Sequence, residues 1–169
     1  MKKRIFETAT ELVRRFGTRD PFKIAEGLGI TVKISDGFTK LKGFYTVINR
    51  KRFIVLNSSL DENQSRIVLA HELGHDRFHR KLAQDACLRE FVLYDMKSRP
   101  EYEANVFAAE LLLDDSEVLA LAKEGYDMEE TAKILCTDIN LAAIKIGCMN
   151  MRGFGFREQT MPRVDFLSK

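Results

Sequence analysis

The 169-residue chain holds three histidines, and all of them fall within nine residues, as His71, His75 and His79. On an α-helix, at about 100° per residue, His75 and His79 sit about 40° and 80° round from His71, so the three rings form one stripe with Glu72 at its border. Ile67, Val68, Gly74 and Phe78 lie beside that stripe, and Leu69 and Leu73 lie opposite it. A helix that is apolar on nearly every side belongs inside a fold. Imidazoles and a carboxylate buried there cost several kcal/mol unless they are paired or bound to a metal. The chain must therefore build its core around this helix and supply partners for its polar stripe. Gly74 costs about 1 kcal/mol relative to alanine in a helix interior, and a close approach by another element is a reason to carry it.

The flanking segments give that helix its surroundings. Asp61 with Gln64 three residues on predicts a capping box, opening a helix through SRIVLAHELGHDRFHR. Upstream, Ile5, Phe6, Ala9, Leu12, Val13 and Phe16 recur at helical spacing up to Gly17, and Asp20-Pro21 starts a short helix that stops at the GLG glycines. ITVKIS, LKGFYTV and RFIVLN read as strands, the last two as a hairpin across INRK. A small antiparallel sheet of about three strands is expected, and an edge of it near LKGFYTV is the expected place for a peptide to add as a further strand. Residues 82–99 do not resolve into one element; FVLY fits a strand or a turn of helix. Downstream, EYEANVFAAELLL, DSEVLALAK, MEETAKIL and INLAAIKIGCM read as helices. The expectation is one α+β domain over residues 1–169: an N-terminal helix (1–19), a core (20–113), a helical C-terminal part (114–150) and an irregular tail (151–169).

Charge and composition narrow the function. Hydrophobic residues make up 45% of the chain and charged residues 31%, enough to bury a core. Lys plus Arg exceed Asp plus Glu by only 27 to 25, far from the excess of a phosphate-neutralising protein. The segment Asp127–Met149, which has the length of a helix-turn-helix, carries four acids and two bases, the wrong sign for a DNA groove. DNA is not the expected partner. No apolar run approaches the ~18 residues of a membrane span, and Glu7, Glu11, Arg14 and Arg15 break any leader-like core at the start. The expected location is cytoplasmic, with no membrane partner. Cys87, Cys136 and Cys148 form no CxxC pair and read as reduced, mostly buried thiols.

The string HELGH is the HExxH pattern of zinc peptidases, in which two imidazoles one turn apart take two corners of a tetrahedron and the glutamate handles the water. A catalytic zinc needs a third protein ligand. His79 is a poor one, since three side chains along one straight helix are nearly collinear. Among the acids of EYEANVFAAELLL, Glu101 is expected to face away, while Glu103 and Glu110, two turns apart on one stripe, both remain open; Ala104, Ala108 and Ala109 would let this helix pack closely on the first. One zinc per chain is expected. Glu72 is the expected general base and later proton donor. His79, Tyr45 and Tyr102 are the candidates for stabilising the oxyanion, and His79 also fits an outer role behind a ligand.

HELGH with a further His four residues on, followed by EANVFAAELLL, resembles the ImmA/IrrE family of zinc metallopeptidases, regulators of bacteria and phages that act on helix-turn-helix repressors. DPFKIAEGLGI, LKGFY and IVLNSSLDENQSRIVLA extend the resemblance, so that it spans most of residues 20–150. It implies a zincin-like fold, zinc held by His71, His75 and Glu103, catalysis by Glu72, and as substrate a repressor encoded nearby. One departure is Asp114, where the family often has proline. The implied function is a zinc endopeptidase that cuts a specific regulatory protein. The rival is a zinc-containing regulator that only binds a repressor or DNA; an intact Glu72 argues against it. A general peptidase fits poorly with so small a chain.

Overall fold

A computed structural model describes residues 2–85, 88–90 and 98–156. Cys87, the FVLY segment and the tail beyond Phe156 lie outside them. The chain divides into two compact units, Met1–Leu112 and Leu113–Lys169.

In the first unit, α1 (Lys2–Phe16) ends at Gly17, whose φ of +64° is the left-handed turn a glycine takes at no steric cost. The next helix, α2 (Pro21–Gly27), is capped by Asp20, whose carboxylate accepts from the Phe22 amide at 2.9 Å. Strands β1 (Thr31–Ser35), β2 (Gly43–Ile48), β3 (Lys51–Asn57) and β4 (Leu88–Glu90) form a sheet in the order β1-β3-β2-β4. The β2–β3 hairpin turns through Asn49 and Arg50, both at positive φ (50° and 65°), as a two-residue turn matched to strand twist requires. The class is α+β, as expected, but the sheet is mixed: β1 runs parallel to β3, in register from Thr31 opposite Phe53 to Ser35 opposite Asn57. The reversal comes from the loop between β1 and β2, which carries the chain past β3's position, so the first strand pairs with the third. Because β4 pairs with Gly43–Tyr45, β2 is interior there, and the sheet's edges are β1 and β4. This overturns LKGFYTV as a free edge.

Helix α3 (Glu62–Phe78) carries the histidines and has the expected capping box, Asp61 accepting from the Gln64 amide at 2.7 Å. It stops at Phe78, two residues short of the predicted end, and His79 is its C-cap with φ −124°. A short helix α4 (Arg80–Asp85) follows, and after the sheet's last strand comes α5 (Arg99–Leu112). The buried faces of α3 and α5 pack on one another; Leu69, Ala70, Leu73, Ala104, Phe107 and Ala108 are all fully buried. Phe78 and Phe107 meet edge to face at 5.7 Å, a pair worth about 1 kcal/mol beyond its buried area.

The second unit holds α6 (Asp115–Glu124), α7 (Met128–Ile134) and α8 (Ile139–Met151), each opened by an aspartate N-cap, Asp114, Asp127 and Asp138. Asp114 thus starts α6 where the family often places proline. Cys148 is buried, but Cys136 is exposed, in the left-handed turn between α7 and α8. No single helix among the described residues is long and apolar enough to cross a membrane.

Candidate metal centre

His71 and His75 stand one turn apart on α3, and their Nε2 atoms lie 3.0 Å from each other. From the first turn of α5, Glu101 reaches both rings: one carboxylate oxygen is 3.1 Å from His71 Nε2 and the other 3.5 Å from His75 Nε2. Asn105, one turn further along α5, places its side-chain oxygen 2.9 Å from His71 Nδ1. That oxygen accepts, so the proton at this contact sits on His71 Nδ1, and Nε2 is the ring atom turned toward His75 and Glu101. Burial pushes the His75 pKa down to about 4, which keeps the ring neutral at ordinary pH. For Glu101, burial opposes the charge, but bonds to the His71 and His75 rings outweigh it and hold the carboxyl well below the usual range. Two imidazoles and a carboxylate are the donors a zinc ion takes, and the ligand atoms all lie within 4.8 Å of one another. A tetrahedron with bonds of 2.0 to 2.2 Å has edges of about 3.3 to 3.6 Å, and the contacts of 3.0, 3.1 and 3.5 Å lie within about 0.3 Å of that range or inside it. The residues fit the ion.

The crossing of the two helices explains which acid arrives. An ideal Cβ on Gly74 would stand 2.9 Å from Ala104 Cα, so only glycine lets α5 lie this close. With the contact centred on Ala104, Glu101 and Asn105 lie about 60° and 100° to one side of it, and Glu103 about 100° to the other. Glu101, expected to face away, is therefore the carboxylate beside His71 and His75. Glu103, expected in that place, meets His79 Nε2 at 3.1 Å and Arg99 Nε at 2.7 Å instead. Glu110 is buried about 13 Å beyond Glu101 along the α5 axis, and its carbonyl accepts from Arg19 Nη1 at 3.1 Å.

Residues 25–157 match the IrrE N-terminal-like domain, a peptidase family. The chain belongs to this family. A relative, the uncharacterized immunity region protein 2 of Bacillus phage phi105, is 31% identical over 134 residues, which is 79% of this chain and 84% of that protein.

In this IrrE-like domain Glu72 follows His71 on α3 and is fully buried. His79, displaced from the helix line by its capping conformation, is also buried and sets its Nδ1 3.0 Å from His75 Nδ1. Tyr45 is not placed as an oxyanion donor. It is fully buried and donates its hydroxyl to Asp76 at 2.8 Å; burial, then the Asp76 charge, push its pKa up. Tyr102 lies on α5 with its ring under the Lys2 ammonium of α1 at 5.1 Å. Two residues that sequence reasoning passed over matter here. Asn105 orients the His71 ring. Asp76, next to His75, has a side chain with no exposed surface and gathers Arg52, Arg77 and Arg80 at 2.7 to 3.2 Å. Arg52 comes from β3 and also binds the Leu28 carbonyl, so this one carboxylate ties the histidine helix to the sheet and to the end of α2. Burial opposes the charge on Asp76, but Arg77, Tyr45, Arg52 and Arg80 together hold its pKa below the ordinary value. A lone aspartate after HELGH gives no signal of this, since the partners that tie it to the sheet, Arg52 and Tyr45, are 24 and 31 residues away.

Proposed function

We propose that this protein is a zinc-dependent endopeptidase that hydrolyses a specific peptide bond in a regulatory protein, a helix-turn-helix repressor. The convergence of His71, His75 and Glu101 on one point, with Glu72 between the two histidines in sequence, carries the reading. His71, His75 and Glu101 would hold the ion, leaving a fourth position open for water and substrate. When bound, zinc acidifies a water molecule to near neutrality and polarises the scissile carbonyl. Glu72 takes the proton of the attacking water and returns it to the leaving amine. His79 contacts His75 and Glu103, which favours an outer role for it over direct contact with the oxyanion.

The repressor as substrate is supported by the family and by the immunity-region relative of a phage. A small peptidase working among the cell's own proteins must be narrow in specificity, which suits a single regulatory target. The test is to mix the zinc-loaded protein with the repressor encoded beside it, using the parent and Glu72→Gln. The variant keeps size, fold and metal ligands but lacks the base, whose loss typically costs about 10² to 10⁴ in rate. A defined repressor fragment with the parent and none with the variant is the expected outcome. Relief of repression by Glu72→Gln equal to the parent's would establish the rival reading, a regulator that acts by binding.

A further inference from the structure

The sheet has an open edge that the zinc chemistry above does not use. Strand β1 packs on β3 and α2, whereas His71, His75 and Glu101 lie on α3 and α5. We infer that β1 is a docking edge for the protein substrate. An extended segment of that substrate, separate from the bond to be cut, adds to Thr31–Ser35 as a further strand. It carries an acidic residue opposite Lys33 and an apolar residue on either side of that acid. The inference rests on the peptidase reading above and extends it to how the target is chosen.

The backbone decides which groups are on offer. The Ser35 carbonyl accepts from the Ser58 amide at 2.9 Å, so Ser35 turns its peptide groups toward β3, where Asn57 is its partner in the parallel register. Alternate residues of a parallel strand bond the same neighbour, so Thr31 and Lys33 do likewise. Val32 and Ile34 therefore point their N–H and C=O groups outward, and among the described residues no strand lies on that side. A row of free donors and acceptors is what an extended chain takes up. The strand lacks the usual guards of an edge: it has no proline, and its register runs unbroken from Thr31 to Ser35 with no bulge.

The side chains say what kind of chain fits. Val32 and Ile34 share a face of the sheet with their partners Ile54 and Leu56. Those partners are buried, but Ile34 is 69% exposed, so the apolar face ends on an uncovered isoleucine. Val32 also lines a groove of about 510 Å³ that opens between the strand and Phe22 and Glu26 of α2. An added strand lays apolar side chains across Val32 and Ile34. Lys33 stands exposed on the other face, its ammonium 5.9 Å from the centre of the Phe53 ring. An acid directly opposite it is the matching cross-strand partner. A second copy of this chain does not match. Paired antiparallel over all five residues, two β1 strands set one Lys33 against the other at the close spacing of a non-hydrogen-bonded pair, where like charges repel. The occupant is a different chain, with the order apolar, acidic, apolar.

The experiment titrates the repressor encoded beside the gene into the Glu72→Gln chain, whose base is removed, and into the same chain carrying Ile34→Pro, Ile34→Thr or Lys33→Glu. Proline at position 34 removes an outward amide that bonds nothing in β3, which an edge strand tolerates, and it takes away the isoleucine. Calorimetry should show binding about tenfold weaker for Ile34→Pro and about threefold weaker for Ile34→Thr, which keeps the amide. Lys33→Glu should also cost about tenfold, an effect that shrinks in about 0.5 M salt. Hydrogen exchange read by NMR should slow at the Val32 and Ile34 amides when the repressor is added. If Ile34→Pro does not fold, Lys33→Glu and the exchange rates decide the question. Binding unchanged by Lys33→Glu and Ile34→Pro overturns the inference. So do a repressor that does not bind, and amides at Val32 and Ile34 that exchange as fast in the complex as alone. Protection of those amides in the protein alone, with self-association in the ultracentrifuge, overturns it too by making the edge a contact between copies. A repressor that docks with these signatures yet is left whole by the parent instead overturns the peptidase reading and leaves the docking edge standing.

Discussion

Gly74→Ala adds one methyl group where α3 and α5 cross, and its effects can be worked from the geometry. The new Cβ would stand 2.9 Å from Ala104 Cα and 3.3 Å from both the Ala104 carbonyl oxygen and Cβ. Carbon atoms rest at about 3.5 to 4.0 Å, so the helices must separate by at least about 0.6 Å, and the obstacle is backbone that cannot swing aside. Overpacking of this kind costs about 1 to 3 kcal/mol. Alanine returns about 1 kcal/mol of helix propensity, which leaves a net loss of about 1 kcal/mol and a Tm lower by a few degrees. The larger effect falls on the site. Glu101 and Asn105 ride on α5 while His71 and His75 ride on α3, so a shift above the roughly 0.5 Å tolerance of a preorganised site pulls the carboxylate from the rings. Zinc affinity should fall by about 10-fold or more while most of the fold remains. Calorimetry and chelator competition on one preparation read both quantities. A variant that is stabilised by the propensity gain and binds zinc like the parent would show that the close crossing does not set the site.

Other substitutions probe the anchor beneath the helix. Asp76→Asn leaves Arg52, Arg77 and Arg80 around a neutral side chain and should cost about 2 to 4 kcal/mol by denaturant unfolding. Because the native pKa of Asp76 lies below that of the unfolded chain, its contribution is present above about pH 4 and is lost as the pH falls below that value. The gap between parent and Asp76→Asn should therefore close in acid, and a gap that stays constant to pH 2.5 would deny the charge its role. Tyr45→Phe should lower stability by about 1 kcal/mol and leave kcat on the repressor within about threefold. A drop of 100-fold with zinc content intact would return Tyr45 to the oxyanion.

The sequence was most legible where one residue's local chemistry decides an element. Asp20 and Asp61 mark helix starts through bonds to amides two or three residues away, and such short-range signals survive translation into structure. The histidine stripe was equally plain, because its period is that of the helix itself. What the pattern could not supply was the rotation of α5 against α3. Glu101 was expected to face away and Glu103 or Glu110 to face the histidines, whereas the acid that arrives depends on Ala104 being the point of contact, which is set by Gly74 on another element. The parallel pairing of β1 depends in the same way on which strand reaches β3 first. The end of α3 at Phe78 was also hidden, because Arg77 to Arg80 contains no glycine or proline to mark a stop.

Asp76 changes the meaning of the motif that precedes it. HExxH is written with two open positions, yet in this helix every residue from His71 to Asp76 is spoken for. Two present nitrogens to a common point, Glu72 is the proposed base, Leu73 fills the core, Gly74 admits the neighbouring backbone, and Asp76 fastens the turn to three arginines and a tyrosine. Successive residues of a helix point some 100° apart, so six in a row use every direction around the axis. A saturation-mutagenesis map of the gene should show almost no accepted change from His71 to Asp76, in contrast to tolerant positions on the exposed first turn of α3. Selection acting on such a block cannot tune the chemistry at one position without touching the architecture at the next. Variation in what the enzyme recognises would then accumulate elsewhere on the chain.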